Sequence, residues 1–266
     1  MQRYSADEIP VRDPRIIEGL AELTERLAGR YHRAEVRGTE HVPEGAALYV
    51  GNHSGGIYTV DTLIFAAAVY RAHGLTAVPY GLAHELVMEL PLLREIARTL
   101  GAVRANHDNA RRLLAAGHKT LVYPGGDVEA MRPFRHRHRL VFDGRRGYMR
   151  LAIATGVPVV PVVAAGSHSS FLILDDLRWL SRALGADRVL RFKVWPLTLS
   201  VPWGLTLGPP PPYLPLPVQV RMSILPPFVP ERTGEEAAAD PDYVTRCASE
   251  VERRMQAALT QLALRR

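Results

Sequence analysis

Short apolar runs alternate with segments of helical periodicity along most of the chain. Four runs of apolar and β-branched residues predict buried strands, at residues 46–51, 77–82, 119–123 and 157–163. Two shorter strands are predicted at residues 34–38 and 102–104. Periodic segments with start or stop signals predict helices between them, at residues 61–73, 85–99, 108–116 and 145–155. This alternation predicts an α/β fold: a single domain with a mostly parallel sheet flanked by helices.

Both ends of the chain are predicted to be helical. An apolar stripe predicts an amphipathic helix over residues 14–31, and Asp13 followed by proline supplies its start signal. A polar linker at residues 231–242 precedes a second amphipathic helix at about 243–264. The predicted organisation is an N-terminal helix, a central domain and a C-terminal helix packed on that domain, over residues 1–32, 33–230 and 231–266.

Residues 194–230 differ from the rest of the chain. They are rich in proline and aromatic side chains and show no clear period. One interpretation is a packed, irregular cover over the functional site. The other is a surface that dips into a bilayer interface, where tryptophan and tyrosine are favoured. The pattern alone leaves both interpretations open.

The charge is small overall but unevenly distributed. Lys and Arg outnumber Asp and Glu by 33 to 27, a net charge of +6. Seven arginines lie between Arg132 and Arg150, with Asp143 as the only acidic residue among them. This basic block predicts a phosphate group or an anionic membrane surface as partner, and salt-sensitive attachment to such a membrane. Because no recognition motif accompanies the block, no nucleic-acid partner is expected.

Composition also limits the cellular setting. Hydrophobic residues make up 47% of the chain and charged residues 23%, proportions typical of a globular protein with a sizeable core. The single cysteine, Cys247, excludes an intrachain disulfide and favours a reducing compartment. No signal peptide and no transmembrane helix are recognised in the sequence. We therefore expect a cytoplasmic protein that associates with membranes peripherally.

The strongest chemical signal lies where the strand at 46–51 meets the next helix. His53 leaves the strand in a glycine-rich turn, and Asp61 opens the helix. A neutral imidazole held by a carboxylate can take a proton from an alcohol near neutral pH, so the pair predicts a general-base dyad. A structural interpretation also fits, in which Asp61 caps the helix and His53 is a polar loop residue. The histidine and cysteine spacings of metal sites are missing from the sequence, so no metal is expected.

Four motifs, in order, resemble the glycerolipid and lysophospholipid acyltransferase superfamily. Asn52 and His53 with Asp61 look like its His-x4-Asp box, and LVYPGGDVEA at residues 121–130 stands in the place of its Phe-Pro-Glu-Gly turn. The run RRGYMRLA and the strand TGVPVVPV are similar to two further motifs, at residues 145–152 and 155–162. The glycine turn and the arginine run are most similar to the diacylglycerol acyltransferase-like branch. The resemblance covers roughly residues 33–168.

The resemblance implies a glycerol-phosphate acyltransferase-like fold, with residues 33–230 as the acyltransferase domain. It implies transfer of an acyl group from acyl-CoA or acyl-ACP to a hydroxyl of a glycerolipid or lysophospholipid, without a tightly bound cofactor. His53 and Asp61 would be catalytic. The candidate substrate-binding residues are Asn52, Gly125, Gly126, Glu129, Arg146 and Arg150. The N–H groups of the glycine turn would bind an oxyanion or phosphate. Glu129 would either bond an acceptor hydroxyl or act only as a helix-start carboxylate.

Two departures from the family pattern affect the dyad and the acceptor. The strict box places its acid at Tyr58, whereas Asp61 makes a His-x7-Asp pattern. The loop must therefore bulge, which Gly55 and Gly56 allow. Gly125 replaces a glutamate whose turn holds the phosphate or glycerol of the acceptor in the superfamily, which favours a neutral or different hydroxyl acceptor. A non-catalytic lipid-binding protein and a thioesterase on the same fold are the alternative functions.

Overall fold

A seven-stranded sheet forms the centre of the protein in a computed structural model that describes residues 7–54, 56, 58–83, 85–186 and 193–265. In chain order the strands are β1 (Glu35–Arg37), β2 (Ala47–Gly51), β3 (Tyr80–Ala83), β4 (Ala102–Arg104), β5 (Lys119–Val122), β6 (Val159–Ala165), β7 (Leu172–Asp175), β8 (Leu197–Ser200), β9 (Gly204–Leu207) and β10 (Arg221–Ile224). The order across the large sheet is β1-β10-β6-β2-β5-β3-β4, and β7, β8 and β9 form a separate antiparallel sheet.

Most of the large sheet is parallel, as predicted. The pairs β6–β2, β2–β5, β5–β3 and β3–β4 are parallel, whereas β10 runs antiparallel to β6. The helices are α1 (Pro14–Tyr31), α2 (Val60–His73), α3 (Glu85–Glu89), α4 (Pro91–Thr99), α5 (His107–Ala115), α6 (Gly126–Ala130), α7 (Gly147–Thr155), α8 (Arg178–Ala183), α9 (Glu235–Ala239) and α10 (Pro241–Leu264). The predicted α/β fold with a sheet flanked by helices is confirmed.

Apolar cores cover both faces of the sheet. Strand β2 is completely buried, and its side chains alternate between the two cores because successive residues of a strand point to opposite faces. Leu48 and Val50 pack with residues of α7 and α10, whereas Ala47 and Tyr49 pack with residues of α1 and α2. This burial on both faces explains why the β2 and β6 sequences read as continuous apolar runs rather than as alternating patterns.

Two elements differ from the sequence prediction. The single helix expected at residues 85–99 is wrong: α3 and α4 are separate helices. Leu90 is extended (φ −84°, ψ 115°) because the following residue, Pro91, disfavours helical backbone before it and starts α4 itself. Residues 194–230, where the sequence shows no clear period and predicts no strand, contain β8, β9 and β10.

The parallel strands bring the motifs together at one edge. Val50 pairs with Val122 and Gly51 pairs with Val162, so the carboxyl ends of β2, β5 and β6 lie side by side. The loops that leave these ends carry His53, the glycine turn at Gly125 and the segment that follows Ala165. This is the edge at which parallel α/β sheets place their ligands. Across the described ranges, no helix is both long and apolar enough to span a membrane.

Candidate active site

The loop between β2 and α2 starts in close contact with its neighbours. A Cβ atom at Gly51 would lie 2.4 Å from Cε1 of Tyr123, so only glycine lets the tyrosine ring pack on this backbone. Asn52 is 1% exposed, donates from Nδ2 to the Ala164 carbonyl at 2.9 Å and accepts from the Ala164 N–H at 2.7 Å. Its amide therefore extends the β2–β6 pairing, which gives Asn52 a structural task beside the predicted substrate contact.

His53 is held through its backbone and its ring. Its N–H donates to Oε2 of Glu129 at 2.9 Å, and its carbonyl accepts from Nη1 of Arg132 at 2.7 Å. The imidazole stacks on Tyr123, with ring centroids 4.6 Å apart and an interplanar angle of 20°. Tyr123 is in turn fixed by a 2.5 Å hydrogen bond between its hydroxyl and that of Thr62. These contacts set the position of the imidazole before any substrate arrives.

Asp61 lies beside the same loop, in the first turn of α2, and is 1% exposed. Its Oδ1 accepts from the N–H of Thr62 at 2.9 Å, and the backbone of Ser54 also bonds to this carboxyl. Oδ2 of Asp61 and Nδ1 of His53 are buried, and neither has a hydrogen-bond partner among the described residues. Buried polar atoms are rarely left unpaired, so both atoms are exceptions that need an explanation. The structure brings His53 and Asp61 to this cluster without joining them by a hydrogen bond.

The buried setting shifts the pKa values of the three titratable groups. Burial raises the pKa of Asp61 to about 7, although N–H groups and the charge of Arg132 oppose the shift. Burial also raises the pKa of Glu129 to about 7, again against Arg132. Burial, helped by the charge of Arg132, lowers the pKa of His53 to about 4. The imidazole is therefore neutral at pH 7 and able to accept a proton.

Arg132 is the residue that sequence reasoning missed. It was assigned to a basic block expected to face an anion, but it is only 1% exposed. Its guanidinium makes five hydrogen bonds, the full donor capacity of the group. The acceptors are the carbonyls of His53, Glu129, His136 and Arg137 and the hydroxyl of Ser54. Arg132 thus ties the His53 loop to the α6 segment. In the sequence it is one of seven arginines of the basic block, and nothing there distinguishes a buried arginine from the exposed ones.

Other arginines of the basic block also turn toward the protein. Arg145 donates to the carbonyls of Pro124 and Gly125 at 3.1 Å each and pairs with Asp127. Arg146, a predicted substrate-binding residue, donates to Oγ1 of Thr245 on α10 at 2.5 Å. Arg150, the other arginine in that prediction, is exposed on α7. Within the described ranges, the hydrogen bonds and ion pairs place neither Arg146 nor Arg150 against the His53 loop.

The glycine turn at Gly125 packs against Glu129, which in turn bonds the His53 loop. A Cβ atom at Gly125 would lie 2.3 Å from Cβ of Glu129 and 2.4 Å from the Val141 carbonyl oxygen. Glu129 is fully buried, and its second oxygen, Oε1, accepts from the Val141 N–H at 3.1 Å. The space for a side chain at position 125 is therefore filled by Glu129. The N–H of Gly126 donates to the Tyr123 carbonyl at 3.1 Å, so it is not free to bind an oxyanion in this conformation.

The far side of the loop is covered by aromatic residues. Phe171 stacks on Tyr213 with centroids 3.9 Å apart, and a Cβ atom at Gly56 would lie 2.5 Å from the Tyr213 hydroxyl and 2.6 Å from the Phe171 ring. Gly56 has a φ of +77°, consistent with the expected bulge, whereas Gly55 lies outside the described residues. Tyr58, at the strict position of the acid, is 38% exposed and packs edge-on against Tyr213. His168 is buried and bonds the Arg132 carbonyl at 2.8 Å.

Replacing Gly125 with alanine is expected to destabilise the protein by about 1–3 kcal/mol, the usual effect of overpacking. The added methyl group would displace Glu129 and with it the backbone of His53. Urea unfolding measures the loss of stability. Gly19→Ala in α1, where a Cβ meets nothing within 4 Å, is the matched control and should not destabilise. Equal stability of the Gly125→Ala and Gly19→Ala proteins would contradict the steric account.

The comparisons with known proteins agree with this geometry. The sequence model of the family described as Acyltransferase matches residues 33–165. An uncharacterized protein of Mycobacterium tuberculosis is 32% identical over 262 residues, which cover 97% of this chain and 70% of the relative. A mouse protein named "DGAT1/2-independent enzyme synthesizing storage lipids" is 27% identical over 164 residues, which cover 60% of this chain and 48% of that protein.

A solved structure shows the same fold. The 1-acyl-sn-glycerophosphate (LPA) acyltransferase PlsC from Thermotoga maritima superposes with a TM-score of 0.58 at 18% identity, covering 96% of this chain and 85% of that one. The predicted resemblance to the superfamily, including its diacylglycerol acyltransferase-like branch, is thereby confirmed. The family match spans β1 to the end of β6 and so includes the His53 loop, Asp61 and the glycine turn. This chain therefore belongs to the acyltransferase family.

Proposed function

We propose that the protein moves a fatty acyl group from an acyl thioester to a hydroxyl of a glycerolipid or lysophospholipid acceptor, with His53 and Asp61 as a general-base dyad. The observation that carries the proposal is the pair of unpartnered buried atoms, Nδ1 of His53 and Oδ2 of Asp61, in one cluster. An approach of these two atoms would give each its missing partner. It would also fix the imidazole tautomer that leaves the other ring nitrogen free to act as a base.

The reaction proceeds by direct transfer in this account. Nε2 of His53 takes the proton of the acceptor hydroxyl while that oxygen attacks the thioester carbonyl carbon. Asp61 accepts a hydrogen bond from Nδ1 and stabilises the imidazolium. The carbon–sulfur bond then breaks, and the departing thiolate takes the proton from the imidazolium. The products are an ester and a free thiol, and the enzyme returns to its initial protonation state without a cofactor.

The donor and the acceptor follow from the site and the relatives. Acyl-CoA or acyl-ACP is the proposed donor, because the mechanism needs a thiolate leaving group. Glu129 fills the space at Gly125, so a carboxylate still stands at the glycine turn, but it bonds backbone N–H groups. A neutral hydroxyl acceptor is therefore favoured over a phosphate-bearing one, and the storage-lipid synthesis named for the mouse relative supports this choice. Such substrates place the enzyme peripherally on a membrane, on its cytoplasmic side.

Activity should depend on pH through the dyad. Because the pKa of Asp61 is raised to about 7, the charged form that stabilises the imidazolium increases as the pH rises through this value. His53, whose pKa is lowered to about 4, is neutral over the same range. We expect kcat/KM to rise with pH through about 7 and then level off, and Asp61→Asn to flatten the profile. A rise that survives in Asp61→Asn would assign it to Glu129, whose pKa is also about 7.

The proposed reaction is tested by thiol release from a panel of acyl-CoA and acyl-ACP donors. Each donor is assayed with diacylglycerol, monoacylglycerol, lysophosphatidate or no acceptor. Acceptor-dependent release, with the neutral acceptors preferred, is the expected result. Equal release without an acceptor would identify a thioesterase instead. Lipid binding without release from any donor would identify a non-catalytic lipid-binding protein.

A further inference from the structure

In the small sheet formed by β7, β8 and β9, strand β7 buries Ile173 in the ordinary way, whereas β8 and β9 have their polarity reversed. In β8, Thr198 is fully buried and Ser200 is 9% exposed, whereas the leucine between them, Leu199, is 47% exposed. In β9, Leu205 and Leu207 are 63% and 57% exposed. A sheet with one face in water normally places apolar residues inward and polar residues outward. Here the leucines face out.

The strand register shows that these leucines form one surface. Leu197 pairs with Leu207, and Leu199 pairs with both Leu205 and Leu172. Beyond a register shift in β7, Leu197 also pairs with Asp175, which forms an ion pair with Arg135 at the edge of this surface. Residues that pair across antiparallel strands lie on the same face of a sheet. We call the surface they form the leucine face, and its members are Leu172, Leu197, Leu199, Leu205 and Leu207.

The opposite face of the sheet carries the polar pair. Thr198 pairs with Thr206, and their hydroxyls are 2.7 Å apart. Oγ of Ser200 is buried without a hydrogen-bond partner among the described residues. Inward hydroxyl groups add little to a core compared with leucine side chains, so the reversed arrangement does not serve the stability of the sheet.

The leucine face lies in a segment without charge. Residues 194–220 contain no Asp, Glu, Lys, Arg or His. Yet the β8–β9 turn exposes Val201 (48%) and Trp203 (53%), and Leu214, which bridges to Val201, is 64% exposed. An exposed surface in water normally carries interspersed charges, whereas large uncharged apolar surfaces mark interaction sites. Tryptophan beside aliphatic residues is the composition found at the water–lipid interface.

A groove lies beside this face, and Phe171 forms its wall toward the His53 loop. A cavity of about 430 Å³ opens beside the leucine face and is lined by Phe171, Leu172, Leu199, Val201, Leu214 and Leu216, among others. Its volume falls within the range of about 300–1,000 Å³ typical of small-molecule sites. Phe171 lines the groove and also packs against Gly56, in the loop that carries His53. The groove and the loop at which a lipid hydroxyl is proposed to react therefore share Phe171 as a common wall.

We infer that the leucine face, with Val201, Trp203 and Leu214, docks onto the lipid surface of a membrane and presents the groove to lipid acyl chains. The choice of lipid over a second copy of the chain rests on the proposed function, on the uncharged segment that carries Trp203 and on the contact of Phe171 with the His53 loop. Attachment is apolar, because the segment has no charge and much of the basic block is bonded within the protein. Binding should thus persist at high salt and on vesicles of zwitterionic lipid, unlike the salt-sensitive attachment expected from the sequence.

The test measures cosedimentation with vesicles of phosphatidylcholine alone or with phosphatidylglycerol, at low and high salt. Leu205→Asp should weaken binding about tenfold or more, because burial of a leucine is lost and a charge enters the apolar layer. The matched control is Val229→Asp. Val229 is 66% exposed, close to the 63% of Leu205. It follows Phe228, which bridges to Val159 at the start of β6, so it lies at the end of the seven-stranded sheet opposite the active-site edge. This control should bind like the wild type.

A second readout does not depend on the charged variant folding. Brominated lipids should quench tryptophan fluorescence in the wild type, and Trp203→Phe should remove most of the quenching, although Trp179 and Trp195 remain. Unchanged quenching in Trp203→Phe would overturn the inference. Binding that is lost at high salt but unaffected by Leu205→Asp would also overturn it, in favour of the basic block. A wild-type dimer that Leu205→Asp dissociates without vesicles would show that a second copy covers the face.

Activity assays separate this inference from the proposed function. With a short-chain acyl-CoA and a soluble monomeric acceptor, Leu205→Asp should retain wild-type transfer, while its transfer to acceptors in vesicles falls. Vesicle binding through the leucine face in a protein that transfers no acyl group would refute the proposed function alone. Equal transfer to acceptors in vesicles by the wild type and Leu205→Asp would refute the docking surface alone.

Discussion

Replacing His53 with alanine is expected to lower kcat/KM for acceptor-dependent acyl transfer by about 10²–10⁴-fold, the range that a general base contributes. The variant removes the imidazole while the contacts that hold the loop remain, since they use the backbone N–H and carbonyl of residue 53. The stacking on Tyr123 is lost with the ring. The protein should therefore stay folded and retain its affinity for lipid. Steady-state kinetics and a thermal melt of the same preparation measure both properties.

His136→Ala is the control for this prediction. His136 is exposed, and its contribution to the site is a backbone carbonyl that accepts from Arg132, which alanine preserves. Its kcat/KM should equal that of the wild type. A His53→Ala protein that is folded and transfers acyl groups within about threefold of the wild-type rate would remove the general base from the mechanism, since the expected loss is at least about a hundredfold.

Replacing Arg132 with methionine is expected to have the largest effect on stability, a loss of about 3–5 kcal/mol. Methionine approximates the length of the side chain but makes none of its five hydrogen bonds. The acceptors left behind include buried carbonyls, and the Glu129 carboxyl loses the positive charge that opposes its desolvation. Urea unfolding at neutral pH measures the loss.

A double-mutant cycle identifies the source of that loss. If it arises from a stranded Glu129 carboxylate, then Glu129→Gln combined with Arg132→Met should be less destabilising than the sum of the two single changes. Arg139→Met is the control, because Arg139 is an exposed arginine of the same basic block and should tolerate the change. An Arg132→Met protein as stable as Arg139→Met would contradict the tie between the His53 loop and the α6 segment.

Much of the fold could be predicted because the signals were local. The runs that became β2 and β6 are buried on both faces and so appear in the sequence as continuous apolar stretches. Pro91 signals the break at Leu90 in the sequence, but the helical periodicity on both sides of it favours one continuous helix. Strands β8 and β9 were missed for a different reason. Their outward leucines and inward threonines have the period of a strand, but proline-rich flanks hide it, and the reversed polarity fits no ordinary soluble sheet.

The candidate site could be predicted in part. The sequence predicted His53, Asp61 and the glycine turn as site residues, and the structure places the His53 loop and the glycine turn at the carboxyl ends of neighbouring parallel strands, with Asp61 in the first turn of α2. It could not show that Asn52 and Glu129 bond backbone groups, because those partners, Ala164 and Val141, are distant in the chain. The burial of Arg132 was equally hidden. A charged side chain is normally exposed, and only the tertiary structure supplies five acceptors around it.

Acyl transfer from a thioester to a lipid hydroxyl, with His53 as the general base, is tested most directly by the fate of a labelled acyl chain. The enzyme is incubated with acyl thioester labelled in the acyl group and with vesicles that contain a neutral glycerolipid acceptor, and the lipids are analysed by mass spectrometry. The account predicts label in an ester of the acceptor for the wild type and almost none for His53→Ala. Label recovered as free fatty acid, or equal ester formation by the two proteins, would contradict it.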